Sequence, residues 1–287
     1  MTPSELTIIP AEIQDHDEIA DLISMSQVSN RHLDWQKSIS WLGSQPVLKC
    51  YLKDELISLL VCPATDRDFI WIRSFCATEL TAAERSWPYL LQYAEGILHN
   101  AGITRIYSIA LTTWYEGLLH TGGFITEDKI ITLRRGHSHI TREDRSLDIQ
   151  VREFLPNDID RVMDVDHLAF PPLWQISKED FVQALALSQN RSVALDTSGD
   201  IIGYQISSNI FDSGHIARIA VHPLHQREHV ATILLDNLFS RFLSLGVQEV
   251  TVNTSSDNKT AINMYLHNGF SYTQNNYPIY FKDIRST

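Results

Sequence analysis

Apolar and polar positions follow the same order of patterns twice along the chain, about 140 residues apart. In the first half, residues 47–51, 56–61 and 69–75 read as strands separated by Asp, Gly or Pro turn chemistry; residues 192–195, 201–207 and 215–221 do so in the second. Each block leads to a helical apolar stripe. Leu90, Leu91, Ala94, Ile97 and Leu98 form one within residues 87–100, and Ile233, Leu234, Leu238, Phe242 and Leu245 form the other within residues 231–245. Gly102 and Gly246 then stop the helix and open a strand. Beyond those strands, a turn-and-helix ends in Gly123-Phe124 or Gly269-Phe270, followed by a β-prone run at residues 129–133 or 279–281. The openings agree as well: Leu6-Thr-Ile-Ile9 precedes Asp15-His-Asp17, and Ile149-Gln-Val151 precedes Asn157-Asp158. In the second copy, residues 158–170 and 177–187 read as helices kept apart by Pro171-Pro172. The pattern predicts two copies of one mixed α/β (α+β) domain, at residues 1–145 and 146–287, with the charged stretch 134–145 as connection.

A length of 287 residues suits two domains, and a hydrophobic share of 44% suits two cores. The net charge of −12, shared evenly by the halves, removes the basic surface that nucleic acid requires. The longest apolar run, near residues 57–62, is far short of a bilayer span, and Met-Thr-Pro-Ser-Glu at the start reads as no signal segment. Cys50, Cys62 and Cys76 read as reduced core thiols, so the expectation is a cytoplasmic protein without membrane attachment. His137 and His139 lack further ligands nearby, and His215, His222, His225 and His229 are scattered by strand and loop directions. No metal site is expected.

Residues 219–231 carry candidate chemistry. Pro223 helps end a strand, and residues 226–231 bring six consecutive amides to a helix start, where Ala231 and Thr232 are small enough to admit an anion. A lone strand-loop-helix of this kind is common to α/β domains. More specific is the pattern Val221-x-Pro223-x-x-Gln226-x-x-His229-x-Ala231 followed by Leu234-Leu235, which is similar to the acetyl-coenzyme A loop of the GCN5-related N-acetyltransferase superfamily. Asn258-x-x-Ala261-x-x-Met264-Tyr265-x-x-x-Gly269-Phe270 resembles the second motif of that family.

The resemblance implies two tandem acyl-CoA N-acyltransferase-like domains, each a mixed, splayed sheet flanked by helices. Acetyl-CoA would enter where two parallel strands part and give its acetyl group to a primary amine of a small molecule or peptide. Ile219, Ala220 and Val221 would hold the pantetheine arm by their backbone. Gln226, Arg227, Glu228, His229, Val230, Ala231 and Thr232 would surround the pyrophosphate, Glu228 pointing away from it. Asn258 would steady the arm or the adjacent loop, and Tyr265 would protonate the leaving thiolate. The family usually has Gly at the position of His229, so a histidine there either keeps a helical backbone with its ring turned to solvent or to a phosphate, or weakens cofactor binding and activity. Members acting on protein N-termini carry a glutamate where this chain has Asn253, leaving His215, His222, Asp212 and Glu249 as candidate bases. Phe170-Pro-Pro-Leu-Trp174 is similar to the acceptor wall of ribosomal-protein N-terminal acetyltransferases. In the first half, residues 78–86 and 112–124 are the counterparts of the two motifs; they lack the loop glycine and the asparagine, so this copy is expected to brace the second rather than bind cofactor. The alternative is a non-catalytic acyl-CoA-sensing or protein-interaction module. The oligomeric state stays open.

Overall fold

The computed structural model describes residues 5–33, 36–136 and 148–284. The chain packs into two units, one of Met1–Lys129 with Tyr277–Thr287 and one of Ile130–Asn276. The first runs β1 (Leu6–Pro10), α1 (His16–Met25), β2 (Val28–Arg31), β3 (Val47–Leu52), β4 (Glu55–Val61), β5 (Phe69–Trp71), β6 (Ser74–Ala77), α2 (Leu80–Asn100), β7 (Arg105–Ile109) and α3 (Thr113–Thr121). Strand β8 (Ile125–Gly136) carries the chain into the second unit. That unit continues with β9 (Gln150–Glu153), α4 (Ile159–Ala169), α5 (Lys178–Leu187), β10 (Asn190–Leu195), β11 (Ile201–Ile210), β12 (Ser213–Val221), α6 (Val230–Ser244), β13 (Glu249–Ser255) and α7 (Lys259–His267). The last strand, β14 (Ser271–Asp283), starts in the second unit and ends in the first.

In the first unit, β1, β3, β4, β6 and β2 pair antiparallel in that order. Both faces of this sheet are covered. Leu59 and Val61 join Ile19 and Leu22 of α1, whereas Leu60 and Cys62 join Trp87, Leu90 and Leu91 of α2. Double coverage explains why Leu59-Leu60-Val61-Cys62 is an unbroken apolar run rather than an alternation. The three cysteines are buried and free, and burial pushes the Cys50 thiol up to about 11. The end of β14 completes this unit: Ile279, Tyr280 and Phe281 lie opposite Ile109, Ser108 and Tyr107 of β7. Tyr280, only 2% exposed, joins the core around Trp87, and its hydroxyl donates to Glu116 Oε2 at 2.9 Å.

The second unit orders its strands β9, β10, β11, β12, β13 and the latter part of β8. Residues 134–136, expected in the connection, are strand: Arg134 lies opposite Thr251 and Gly136 opposite Glu249. The rest of that connection, with His137 and His139, lies outside the described residues. Helix α6 covers one face, where Leu235, Leu238, Phe239 and Phe242 meet Ile216, Val250, Val252 and Leu133. A Cβ at Gly214 would lie 2.6 Å from the Phe242 ring, so β12 has no side chain at that crossing. The other face takes α4 and α5, with the Phe181 and Tyr204 rings 5.5 Å apart, edge to face.

The repeated Gly-Phe has one physical cause in both copies. Gly123 and Gly269 adopt φ of 81° and 82°, which lets Phe124 N–H reach Leu119 O at 3.0 Å and Phe270 N–H reach Tyr265 O at 3.1 Å. The left-handed residue closes the helix, and the phenylalanine drops into the core, 2% and 4% exposed respectively. One expectation is corrected: α2 begins at Leu80, so most of residues 78–86, read as a loop, is helix. Among the described residues, no helix is long and apolar enough to cross a membrane.

Candidate active site

Strands β12 and β13 run parallel, but only part of the way. Ser213, Gly214, His215 and Ile216 lie opposite Glu249, Val250, Thr251 and Val252, and no register continues beyond them. At that point β12 has a bulge: Ser207 of β11 faces Ile216 and Ile206 faces Arg218, leaving Ala217 as the extra residue. Residues 218–221 then stay with β11 alone, while Asn253, Thr254 and Ser255 stay with β8. The bulge turns β12 away from β13 and leaves one edge of residues 218–221 without a strand partner among the described residues. Ile219, Ala220 and Val221 are therefore on an open edge.

The edge leads to the N-terminus of α6. His222 accepts from Leu224 N–H through Nδ1 at 3.3 Å, and Pro223 starts a single 3₁₀ turn. Gln226, Arg227, Glu228 and His229 are exposed. The Glu228 carboxylate is engaged by His225 Nδ1 at 3.0 Å. His229 departs from the expectation of a helical backbone: its φ is 63° and ψ 9°, the left-handed region, and Arg227 is also left-handed at φ 69°. A glycine takes that conformation without the Cβ clash that a histidine meets there. No side chain caps α6, so the N–H groups of Val230, Ala231 and Thr232 have no partner within the helix and meet the positive end of its dipole. Thr232 Oγ1 accepts from Asn268 Nδ2 at 3.3 Å, tying the start of α6 to the end of α7.

Asn258 caps α7, its Oδ1 accepting from Ala261 N–H at 3.1 Å. Tyr265 is 4% exposed, its ring 5.3 Å from that of Phe270, and burial holds its phenol well above the usual range. Its hydroxyl has no protein hydrogen bond among the described residues. The phenol therefore keeps its proton at neutral pH.

The candidate bases separate clearly. Glu249 is paired with Arg134 at 3.1 Å, His222 caps its own turn, Asp212 is exposed in the β11–β12 turn, and Asn253 Oδ1 accepts from Thr132 at 2.8 Å. His215 is different. It is half-buried one residue before the strands part, and burial lowers its pKa below the ordinary imidazole value. Nδ1 lies 2.9 Å from Thr251 Oγ1, whose hydroxyl also donates to Gly214 O at 3.3 Å. A hydroxyl has one proton; donated to that carbonyl, it obliges Nδ1–H to donate and leaves the Nε2 lone pair free to accept a proton.

Periodicity missed a charged cluster beside the open edge. Arg218 forms a two-pronged pair with Asp166 of α4, Nε to Oδ2 at 2.5 Å and Nη2 to Oδ1 at 3.0 Å. Tyr204 O–H donates to the same carboxylate at 2.5 Å, and Arg218 Nη2 donates to Trp174 O at 2.7 Å. The guanidinium lies 3.8 Å over the Phe170 ring. Asp166 is fully buried and its side-chain partner 14% exposed, so neither charge is tolerable without the other. The cluster pins residues 170–174 to the strand just past the bulge. Its signal was present: Asp166 repeats four residues after Val162, on the buried stripe of α4.

The first unit has a matching fork with a different occupant. Phe69, Ile70 and Trp71 run parallel with Arg105, Ile106 and Tyr107, after which the chain leaves for the other sheet as β6. One edge of β6 pairs with β4, and the other is filled by β2, with Val28 opposite Ala77 and Arg31 opposite Ser74. Asn30, 1% exposed, spans to the strand left behind: Nδ2 donates to Ile109 O at 3.0 Å, and Oδ1 accepts from Leu111 N–H at 2.9 Å. The edge that is open in the second unit is closed here by the chain itself.

Comparison with known proteins bears on the fold and on the family of the second unit. Residues 159–270 match the acetyltransferase (GNAT) family. The segment includes the splayed strands, α6, Asn258 and Tyr265. No curated protein matches the chain in sequence. Among solved structures, the fold is similar to a GCN5-related N-acetyltransferase from Sphaerobacter thermophilus, at 17% identity and TM-score 0.65, over 100% of this chain and 98% of that one. It is similar to a tandem GNAT protein from the clavulanic acid biosynthesis pathway, at 10% identity and TM-score 0.69, over 99% and 100%. Saccharomyces cerevisiae N-myristoyltransferase with bound myristoyl-CoA aligns at 11% identity and TM-score 0.62, over 100% and 80%. The solved structures show a repeated GNAT-like fold, with two sheets flanked by helices, and the family match over residues 159–270 supports an acyltransferase enzyme. His229→Gly should remove the left-handed strain and raise unfolding free energy by about 1 kcal/mol in urea denaturation. A loss of stability would mean that the imidazole makes contacts worth more than the strain.

Proposed function

We propose that this protein is an N-acetyltransferase that moves the acetyl group of acetyl-CoA to a primary amine of a small molecule or peptide, with its working cleft in residues 146–287. The observation that carries this reading is the open edge of residues 218–221 ending at the uncapped N-terminus of α6. Backbone groups of Ile219, Ala220 and Val221 pair with the amides of the pantetheine arm as an added strand would. The loop from Gln226 to His229 and the amides of Val230, Ala231 and Thr232 receive the pyrophosphate, and Asn258 fixes the loop that follows β13.

In this reading the acceptor amine arrives from the face of the sheet that bears His215, beside the wall of residues 170–174. His215 Nε2 takes the proton of the ammonium, and the free amine attacks the acetyl carbonyl. The tetrahedral intermediate collapses with the carbon–sulfur bond breaking; Tyr265 gives its proton to the departing thiolate, and the proton that the nitrogen sheds as the amide forms returns to the phenolate through solvent. The apolar Phe170-Pro-Pro-Leu-Trp174 wall favours an acceptor with an apolar flank, a peptide N-terminus or a hydrophobic amine. Residues 1–145 form a degenerate copy whose fork is filled by β2, so one cofactor binds per chain.

The test is thiol release from acetyl-CoA with a panel of amines and peptides. Tyr265→Phe should lower kcat by about 100-fold with cofactor affinity nearly unchanged; unaltered turnover removes Tyr265 from proton transfer. A base must be neutral to act, and burial depresses the His215 pKa below about 6.5. Activity should therefore persist to pH values below 6.5 and fall only as the buried imidazole protonates; His215→Gln should abolish that acid limb together with most of the rate. Calorimetric titration of the full chain with acetyl-CoA should give a stoichiometry of one, and two comparable sites would refute the filled fork. Binding without turnover across the whole panel would instead favour an acyl-CoA-sensing module.

A further inference from the structure

The sheet face beneath a covering helix is normally apolar, because a buried polar group must find a partner or lose free energy. The α6 face of β10 and β11 obeys this rule at one end only. Near the start of α6, Ala194 packs with Val230 and Leu234, and a Cβ at Gly203 would touch the same two residues. Farther along, the same face bears Asn190, Ser192, Gln205 and Ser207, which are 1%, 4%, 2% and 0% exposed. Register fixes their side: Ser192 and Ile219 both lie opposite Gln205, and Ile219 packs against the core under α6. Gln205 Nε2 donates to Ser192 Oγ at 3.2 Å, while Gln205 Oε1 is buried without a partner. An unmet buried acceptor is a standing cost that a structural role does not explain.

That amide forms the floor of a cavity of about 400 Å³ between the latter half of α6 and strands β9 to β11, walled by Glu153, Asn237, Ser240 and Arg241. Glu153 and Arg241 have opposite charges, yet they neither pair with each other nor have an ion-pair partner among the described residues. Arg152 and Arg191 also border the cavity, but their guanidinium groups are spent on Asp158 and on Leu185 O. The wall therefore offers two acceptors, Gln205 Oε1 and the Glu153 carboxylate, and in Arg241 a guanidinium without a side-chain hydrogen bond or ion pair among the described residues.

We propose that this cavity binds a free amino acid, its ammonium on Gln205 Oε1 and Glu153 and its carboxylate on Arg241. The complementarity requires both charges in one small molecule. A neutral amide leaves Glu153 and Arg241 unanswered, and a phosphate meets Glu153 with like charge. The site is separate from the cleft described above. It faces α6, whereas Arg218 and its partners from α4 are on the other face, and Asn237 is roughly 10 Å along the helix axis from Val230. The inference does not depend on acetyl transfer.

Thermal unfolding of the full chain in amine-free buffer, with each of the twenty amino acids at millimolar concentrations, tests it. One or a few should raise Tm in proportion to the logarithm of concentration, while acetate and methylamine, each with one of the two charges, should not. Glu153→Gln, at an exposed position, should weaken binding at least about tenfold by removing one charged partner. Gln205→Leu should abolish it and, by removing the orphaned acceptor, raise the Tm of the ligand-free protein. Absence of any shift would mean that the cavity holds only water and would overturn the proposal. A shift that survives both variants would overturn it too, because the amino acid would then be bound elsewhere, as an acceptor in the catalytic cleft for instance.

Discussion

Everything distinctive in this fold follows from two parallel strands that stop bonding halfway. Once β12 bulges at Ala217, the backbone groups on one edge of residues 218–221 lose the partner that the preceding four residues had. Unpaired main-chain donors and acceptors along a strand edge are a template for a further strand or an extended ligand. The two units treat that edge differently. The first inserts four of its own residues and locks them with the Asn30 side chain. The second leaves the edge open and ends it at the uncapped start of a helix, the pairing on which the proposed cofactor reading rests.

The vacancy needs rigid surroundings. Arg218 is the first residue past the bulge with a β11 partner, and its pairing with Asp166 ties the strand to α4 and to the loop ending in Trp174. Removing either charge leaves the other buried and unpaired, at about 3–5 kcal/mol. A planar guanidinium, gripping one carboxylate with two bonds and a carbonyl with a third, fixes direction as well as distance. Lysine would keep the charge and lose the direction.

Much of this was legible in the chain before any coordinates. The two apolar stripes of α2 and α6, the helix-ending glycines and the doubled Gly-Phe are local signals, governed by periodicities that a single segment carries. The Asn258 to Phe270 motif was equally readable, because Asn258 caps one short helix, Tyr265 sits in it and Gly269 closes it. Elements set by distant partners were not readable. Val28-Ser-Asn-Arg31 has no strand pattern and becomes a strand because β6 offers it an edge. Arg134 to Gly136 looked like a charged connection and became strand opposite β13. His229 looked compatible with a helical turn, but the loop geometry forced it left-handed. Asp166 and Arg218 each broke an apolar pattern, and only their meeting 52 positions apart explains both.

The crossing of the last strand has a temporal consequence. Tyr280 fills the core around Trp87, yet it is separated from Trp87 by nearly two hundred residues of chain, including the whole second unit. A ribosome emits Trp87 nearly two hundred residues before Tyr280, at about 5–20 residues per second. For many seconds the first unit therefore exists with the edge of β7 bare and its aromatic cluster incomplete, while the second is still being made. The nascent first unit must wait for β14, and residues 1–129 severed from that strand are a unit missing a wall.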